Sequence, residues 1–231
     1  MGEISPQLAD NEAWVDQTFE KCDDILHRQV YLGQGRQEGL LVYVEVAVSN
    51  LMLEEHVIGL SDVQPLKSYA EGKAALLAGN GLLFLDGDTN CYKISSKGYP
   101  GLGVKKAENE KVIRGSQEAF TESEKINVAL IRKRLRDSRM KVEEQTVGVR
   151  SHTMTALVYM EDLIYQGLLT TMKQQLQRYE IDGILDSGML EQLSEKHWLS
   201  PFPQFQTTER PDRAAQELLN GKAVLLCDNS P

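Results

Sequence analysis

The sequence predicts an α/β fold made of two similar small α/β subdomains, a bilobal molecule in which helices pack on mixed sheets. Short β-branched and apolar segments alternate along the chain with amphipathic segments of helical period, which is the pattern of α/β units. Two segments of the first half also resemble two segments of the second half, in the same order. Between the halves lies a stretch rich in glycine, proline and charge, residues 96–110, which has the composition of a linker.

These observations set the predicted boundaries. Residues 1–10 are polar and are predicted to be a disordered lead-in, residues 11–95 form the first subdomain, and residues 111–231 form the second. A chain of 231 residues has room for two domains of about 100 residues each.

In the first half, the segment LLVYVEVAV at residues 40–48 is almost wholly apolar, as expected of a strand buried at the centre of a sheet. Asn11 or Asp10 is the predicted cap of the first helix. The predicted elements are a helix over 11–22, strands over 28–32 and 40–48, helices over 51–58 and 66–77, and a hairpin of 81–85 with 91–95 around the turn 86–88.

In the second half, Thr121 and Glu124 have the spacing of a capping box at the start of a helix. Pro211 is predicted in the first turn of the last helix, where proline is tolerated. The other predicted elements are strands over 140–147, 155–160, 181–185 and 222–227, and helices over 167–179 and 187–197.

The similarity between the halves involves two pairs of segments. GLLVYVE at residues 39–45 matches TALVYME at 155–161, and LLAGNGLLFLD at 76–86 matches LLNGKAVLLCD at 218–228. The helix that opens the second half is expected to mirror the one over residues 11–22. The sequence therefore predicts an internal duplication.

Composition argues against several classes of protein. The formal net charge of −9 disfavours a dedicated nucleic-acid-binding protein, which normally carries a basic domain. The three cysteines are far apart and form no CxxC pair, so neither a zinc site nor a disulfide framework is predicted, and a reducing compartment is expected. The N-terminus lacks the apolar segment of a secretory signal, and no apolar run approaches the roughly 20 residues of a membrane span. The chain is therefore expected to be soluble.

No constellation of catalytic residues is evident in the sequence. No nucleophile elbow, phosphate-binding loop or dinucleotide fingerprint is present, and Asp86 and Asp88 lack the remaining ligands of a calcium loop. We therefore predict no catalytic residue, no cofactor and no metal site, and we expect that the chain is not an enzyme. The four histidines are scattered at positions 27, 56, 152 and 197.

A cationic run covers residues 132–136 and continues with Arg139 and Lys141. Such a run could bind anionic lipid or nucleic acid. Alternatively, it is a solvated helix face paired with carboxylates such as Glu143 and Glu144. In so acidic a chain we favour the second interpretation.

Two polar clusters, residues 114–124 and 208–213, combine arginines with carboxylates. Arginine forks suit either the capture of an anionic ligand or an internal ion-pair network that fixes two loops, with Asp182 or Asp186 as further partners. The candidate ligand-binding or interlobe residues are Arg114, Glu118, Thr121, Glu122, Asn127, Asp182, Glu209, Arg210 and Asp212.

At these residues the sequence resembles the N-terminal soluble domain of the A subunit of GerA-type spore germinant receptors. The resemblance is specific from Val112 to the C-terminus and weak before it. Ser116 departs from the family, which usually has proline there. The matching residues are Val112, Arg114, Gly115, Glu118, Phe120, Thr121, Glu122, Ser123, Asn127, Ala129, Leu130, Arg132 and Arg134, followed by the motifs at 142–148, 181–188, 200–203 and 208–212.

The resemblance implies a nutrient-sensing receptor complex of the spore inner membrane, which contains B and C partner subunits and other A subunits. In that family a membrane region follows the position where this chain stops, so we expect a soluble fragment of a longer membrane protein, located on the cytoplasmic side. A sister family, the SpoVAF type, shares the domain and is the alternative family for this chain.

Two functions are open at this point. One is a non-enzymatic signalling module that binds a small-molecule nutrient between its lobes. The other is an assembly or gating scaffold that contacts other receptor subunits without binding a germinant.

Overall fold

A computed structural model describes residues 2–33, 37–46, 63–95, 107, 110–178, 181–195 and 205–230. The chain divides into two compact units. Unit 1 consists of Met1–Pro100 and Leu135–Ser138, and unit 2 consists of Gly101–Arg134 and Arg139–Pro231. Within the described ranges, no helix has both the length and the apolar character that a membrane span requires.

Unit 1 contains a five-stranded sheet in the order β1-β2-β4-β5-β3, and every pairing in it is antiparallel. Helices α1 and α2 pack against β2 and β4, whose side chains form the core. The elements are α1 (Leu8–Thr18), β1 (Ile25–Leu32), β2 (Gln37–Val44), β3 (Val63–Leu66), α2 (Tyr69–Leu77), β4 (Gly81–Leu85) and β5 (Cys91–Ile94).

Unit 2 contains a three-stranded antiparallel sheet in the order β6-β7-β8. Helices α3 and α6 pack against each other and against β7 and β8. The elements are α3 (Glu124–Arg132), β6 (Met140–Val147), β7 (Thr153–Met160), α4 (Gln166–Gln177), α5 (Ser187–Ser194), α6 (Pro211–Leu219) and β8 (Ala223–Cys227).

The α/β class is confirmed, but the described strands pair only antiparallel, so the expectation of mixed sheets is wrong. The strand predicted over 181–185 is also wrong, because these residues bind the turn between β6 and β7. The carbonyl of Ile181 accepts from Val149 N at 2.8 Å, and Ile184 N donates to Ser151 Oγ at 3.1 Å. The helix predicted over 66–77 starts later, at Tyr69, and follows strand β3.

Some predictions concern residues outside the described part of the chain. The helix predicted over 51–58 lies outside it altogether. The linker predicted over 96–110 lies outside it except for Ala107 and Glu110. By contrast, the strand over 140–147 is found with the predicted bounds, and Pro211 lies in the first turn of the last helix as predicted.

The N-terminal residues are packed within unit 1, so the predicted disordered lead-in over 1–10 is wrong for residues 2–10. Ile4 is 3% exposed and belongs to the core of unit 1, and Glu3 forms a β-bridge with Ser68. Helix α1 begins at Leu8 rather than at Asn11, because the amide of Asn11 is enclosed and bonds the preceding loop.

When β3 and β5 of unit 1 and α4 and α5 of unit 2 are set aside, the two units share the order helix, strand, strand, helix, strand, and they share strand register. Leu41 faces Leu83 across β2 and β4, as Leu157 faces Leu225 across β7 and β8. These are the residues that the two sequence matches bring into correspondence.

Three hydrogen bonds also recur at corresponding positions of the two units. At the end of the ladder, Asp86 N donates to Glu38 O at 3.0 Å and Asp228 N donates to Met154 O at 2.9 Å. Past the last strand of the repeat, Gly87 N donates to Pro6 O and Asn229 N donates to Glu122 O. In the first helix, Asn11 Nδ2 donates to Ser5 O at 2.9 Å and Asn127 Nδ2 donates to Thr121 O at 2.7 Å. A common origin of the units stays a prediction, and it now has geometric as well as sequence support.

The two asparagines allow a matched test of this repeated geometry. We expect Asn11→Ala and Asn127→Ala each to lower the free energy of unfolding by about 1–3 kcal/mol, because each leaves buried backbone groups without their partner. Denaturant unfolding followed by circular dichroism measures the loss, and amide exchange assigns it to the unit that carries the substitution.

The control for this pair is Gln174→Ala, at an exposed position of α4. That change should stay within about 0.5 kcal/mol of the unchanged protein. If the unchanged protein and all three variants were equally stable, the buried asparagines would not hold their loops.

Candidate functional site

The first polar cluster is built around Glu118 in unit 2. Glu118 Oε1 accepts from Lys133 Nζ at 2.8 Å, and Oε2 accepts from Arg134 Nη2 at 2.6 Å. Partial burial raises the pKa of Glu118, but the hydrogen bonds from the two cations outweigh it and hold the pKa below its usual value. Because Lys133 directly follows helix α3, Glu118 fastens the loop before α3 to the end of the same helix.

The second polar cluster, residues 208–213, is bound by Glu110, which lies about 100 residues before its partners in sequence. Its carboxylate accepts from Thr208 Oγ1 and pairs with Arg213 of helix α6. The interaction with Glu209 is reciprocal: Glu209 N donates to the Glu110 carboxylate at 3.2 Å, and Glu110 N donates to the Glu209 carboxylate at 2.5 Å. Phe120 N also donates to Glu209 O at 2.8 Å, so the two loops are joined by backbone as well.

Arg210 and Asp212 connect the two clusters. Arg210 Nε and Nη2 donate to the two carboxylate oxygens of Asp212 at 3.1 and 2.5 Å. This fork raises the pKa of Arg210. Burial raises the pKa of Asp212, but the fork and the nearby Arg134 outweigh it and leave the pKa lowered. We call the whole set the ion network. It consists of the carboxylates Glu110, Glu118, Glu209 and Asp212 and the cations Lys133, Arg134, Arg210 and Arg213.

Thr121 and Asn127 lie next to the ion network and form a local hydrogen-bonded pair. Thr121 N donates to Asn127 Oδ1 at 2.7 Å, in addition to the bond from Asn127 Nδ2 to Thr121 O. The predicted capping box is therefore wrong. Ser123 is the N-cap residue, and the N–H of Glu124 donates to the Asp228 carboxylate at 3.2 Å.

Glu122 accepts a hydrogen bond from Asn229 N at 2.7 Å through its backbone carbonyl. The candidate residues Arg114 and Asp182 lie outside the described contacts of the ion network. Arg114 is exposed in a bend. Asp182 pairs with Arg150 at 3.2 Å, with both side chains about 80% exposed. Asp186, which the sequence offered as another partner, instead caps helix α5 by accepting from Met189 N.

The cationic run is not a solvated helix face. Arg132 is completely buried and donates to Met140 O at 3.0 Å, and Lys141 is also buried. Glu143, a predicted partner of the run, instead accepts from Lys173 at 2.6 Å. The ion pairs of the run include Lys133–Glu118, Arg134–Glu118, Arg139–Asp162 and Lys141–Glu161.

The chemistry available to the described residues is limited. Among them, no group of three or more histidine, cysteine or acidic side chains is placed to hold a metal ion. The thiols of Cys91 and Cys227 are buried, and this desolvation raises their pKa to about 12 and about 11. Neither thiol therefore forms the thiolate that a nucleophile requires at neutral pH.

Unit 2 also contains a cavity of about 440 Å³ that sequence reasoning missed. Strand β8 forms one wall with all of its residues, and the other walls come from helices α4, α5 and α6 and from residues 205–208. The sequence predicted β8 as a strand but carried no signal for its place at the edge of a sheet.

The fold and the ion network define a class: a two-unit α/β protein in which ion pairs hold the loop before α3 to the start of α6. The chain belongs to the GerA family. The family model described as "Bacillus/Clostridium GerA spore germination protein" matches residues 53–231. The match begins well before Val112, where the motif resemblance starts.

Relatives and a solved structure agree with this assignment. Two relatives from Bacillus subtilis (strain 168) are "Uncharacterized membrane protein YfkQ", which is 31% identical, and "Spore germination protein KA", which is 29% identical. Each match covers 99% of this chain and 48% or 46% of the relative, so the chain spans about half the length of these proteins.

The solved structure is the N-terminal domain of the A subunit of the Bacillus megaterium spore germinant receptor GerK3. It matches with a TM-score of 0.75 at 20% identity, over 100% of this chain and 94% of that one. This likeness establishes the fold.

The lowered pKa values of Glu118 and Asp212 predict how the stability of unit 2 depends on pH. A carboxyl whose pKa is lowered on folding stabilises the protein above its unfolded pKa, about 4, and this contribution is lost as the pH falls through the folded value. We expect the free energy of unfolding to decline below about pH 4.5. Glu118→Gln should lower it by about 1–3 kcal/mol at pH 7 and make the acid decline shallower. Urea unfolding between pH 3 and 7 measures both effects.

The matched control for the ion network is Asp182→Asn, because the exposed Arg150–Asp182 pair is solvated and contributes little. It should leave stability within about 0.5 kcal/mol and the pH profile unchanged. An equal effect of both substitutions would mean that the network is no more than a set of surface ion pairs.

Proposed function

We propose that this chain is the N-terminal module of a spore germinant receptor A subunit and that it acts in germination as a non-enzymatic assembly or gating scaffold, which contacts other receptor subunits. The support is membership of the GerA family together with the fold of a receptor A-subunit domain. In this proposal the module belongs to a complex with B and C subunits and other A subunits at the spore inner membrane. It lies on the cytoplasmic side, which suits three cysteines that form no disulfide.

One observation supports the scaffold role: the polar residues of the motif bind one another. Glu118, Glu209 and Asp212 all have cationic or backbone partners within unit 2. Capture of an anionic ligand by Arg210 would first have to break its fork with Asp212. The arrangement therefore favours a rigid module that contacts other subunits over a germinant site at these residues.

Complex levels in spores test this role. We expect Arg210→Ala in the full-length protein to lower the amount of assembled receptor severalfold, because a loss of about 1–2 kcal/mol in a marginally stable domain changes abundance by about that factor. Quantitative immunoblotting and co-purification with the B subunit measure it. Arg150→Ala, which removes an exposed ion pair, is the matched control and should assemble normally.

The opposite result would favour ligand capture. If Arg210→Ala left assembly intact and abolished the response to one nutrient only, the residue would act in germinant recognition.

Direct binding gives an independent measurement. We expect calorimetric titration of the chain with a panel of amino acids, sugars and nucleosides to give no saturable heat that depends on Arg210 or Glu118. Saturable binding of one nutrient that either Arg210→Ala or Glu118→Gln removes would contradict the scaffold role and identify a germinant site.

A further inference from the structure

The outer edge of strand β8 carries unused backbone groups. Asp228 N donates to Met154 O in the ladder between β7 and β8, and bonded residues alternate along an antiparallel pair. The N–H and C=O groups of Ala223, Leu225 and Cys227 therefore point away from β7. Among the described residues, no strand or loop pairs with this edge.

β8 also lacks the protection that the other sheet edges have. An edge strand usually carries charges or proline that discourage further pairing. In unit 1, edge strand β1 has His27 and Arg28 and edge strand β3 has Pro65. In unit 2, edge strand β6 has Lys141 and Glu143. The sequence of β8 is AVLLC, which has neither charge nor proline.

Unit 1 shows what occupies the corresponding position. Leu83 of β4 corresponds to Leu225 of β8, and it pairs with Tyr92 of strand β5. Asp86 N donates to Glu38 O, so the backbone N–H and C=O of Leu83 point away from β2. The same groups of Leu225 point away from β7. In unit 2, a cavity of about 440 Å³ borders every residue of β8, the strand that corresponds to β4.

The charges around the cavity narrow the chemistry of its occupant. Arg213 and Lys222 line it, but each is bound to a carboxylate of its own, and Lys222 Nζ lies 2.5 Å from Glu217 Oε2. The lining carboxylate of Glu191 has no ion pair among the described residues. The site therefore disfavours acidic side chains and accepts neutral or basic ones, against an apolar wall formed by β8, α4 and α5.

We propose that the free edge of β8 binds an extended peptide segment of a partner protein, with neutral or basic but no acidic side chains, as an added antiparallel strand. The bound segment occupies the position that β5 has beside β4. Recognition comes from main-chain hydrogen bonds to Ala223 and Leu225, and the cavity receives the side chains that face it.

The probe is a blocked synthetic peptide of residues 89–95 with the change Cys91→Ser, which is the β5 segment of unit 1. It is titrated into the 231-residue chain and followed by amide NMR. We expect shift changes centred on Ala223 and Leu225 and slower exchange of these two amides. N-methylation of the peptide at Tyr92 and Ile94, whose N–H groups face β4 in unit 1, should weaken binding by about tenfold or more for each lost hydrogen bond. N-methylation at positions 91 and 93 is the matched control and should leave binding unchanged.

Three outcomes would overturn the proposal. The first is the absence of shift changes at β8 with this peptide. The second is binding without main-chain pairing, as in a small-molecule cavity. Equal binding of the two N-methylated peptides would show this, and so would a free amino acid that produces the same shifts. The third is protection of the amides of Ala223 and Leu225 in the chain alone, which would mean that the chain itself pairs with this edge.

Discussion

Each unit depends on one constraint: an apolar inner strand must have its backbone groups paired along both of its edges. Strands β2 and β7 are the buried Leu-Val-Tyr segments, and both have an antiparallel partner on each side. The preceding strand supplies one partner. The other is supplied by a strand that returns after a helix, α2 in unit 1 and α6 in unit 2. Because side chains alternate between the faces of a strand, a slip of one residue would turn the core side chains outward. The equal registers of the two units follow from that requirement.

The sequence predicts the parts of this arrangement that local chemistry decides. Alternation of residue types indicates β6, and proline tolerance in the first helical turn indicates the start of α6. Features that depend on distant partners cannot be predicted in this way. The capping box of Thr121 and Glu124 fits a helix start locally, yet the buried amide of Asn127 binds Thr121 and an aspartate beyond β8 binds the N–H of Glu124. The polar composition of residues 1–10 predicts disorder. This prediction fails because the sequence does not show that Ile4 packs into the core of unit 1.

The candidate site shows the same division between local and distant information. Motif residues could be chosen from the sequence because arginines and carboxylates cluster there. The roles of these residues could not be predicted, since Glu110 and Arg213 are 103 positions apart and only the fold brings them together. Once paired, these charges neutralise one another, and a carboxylate with a lowered pKa and two cationic partners has little capacity left for a ligand. Corresponding asparagines in the two units explain Thr121 and Asn127 without any ligand.

The turn that follows β4 in unit 1 matches the turn that follows β8 in unit 2, but the chain takes different paths after these two turns. After β4, Gly87 has φ +80° and donates to Pro6 O, and the chain then folds back as β5. After β8, Asn229 has φ +63° and donates to Glu122 O, the same turn with the same bond. In unit 2, however, Asp228 also holds the first N–H of α3, which fixes this turn against the start of that helix. Unit 1 thus completes its sheet with its own hairpin, whereas the described part of unit 2 keeps an uncharged strand at an open edge. An open edge of this kind favours association with another chain unless something blocks it. Its position next to a cavity, rather than on a flat surface, restricts that association to a narrow segment.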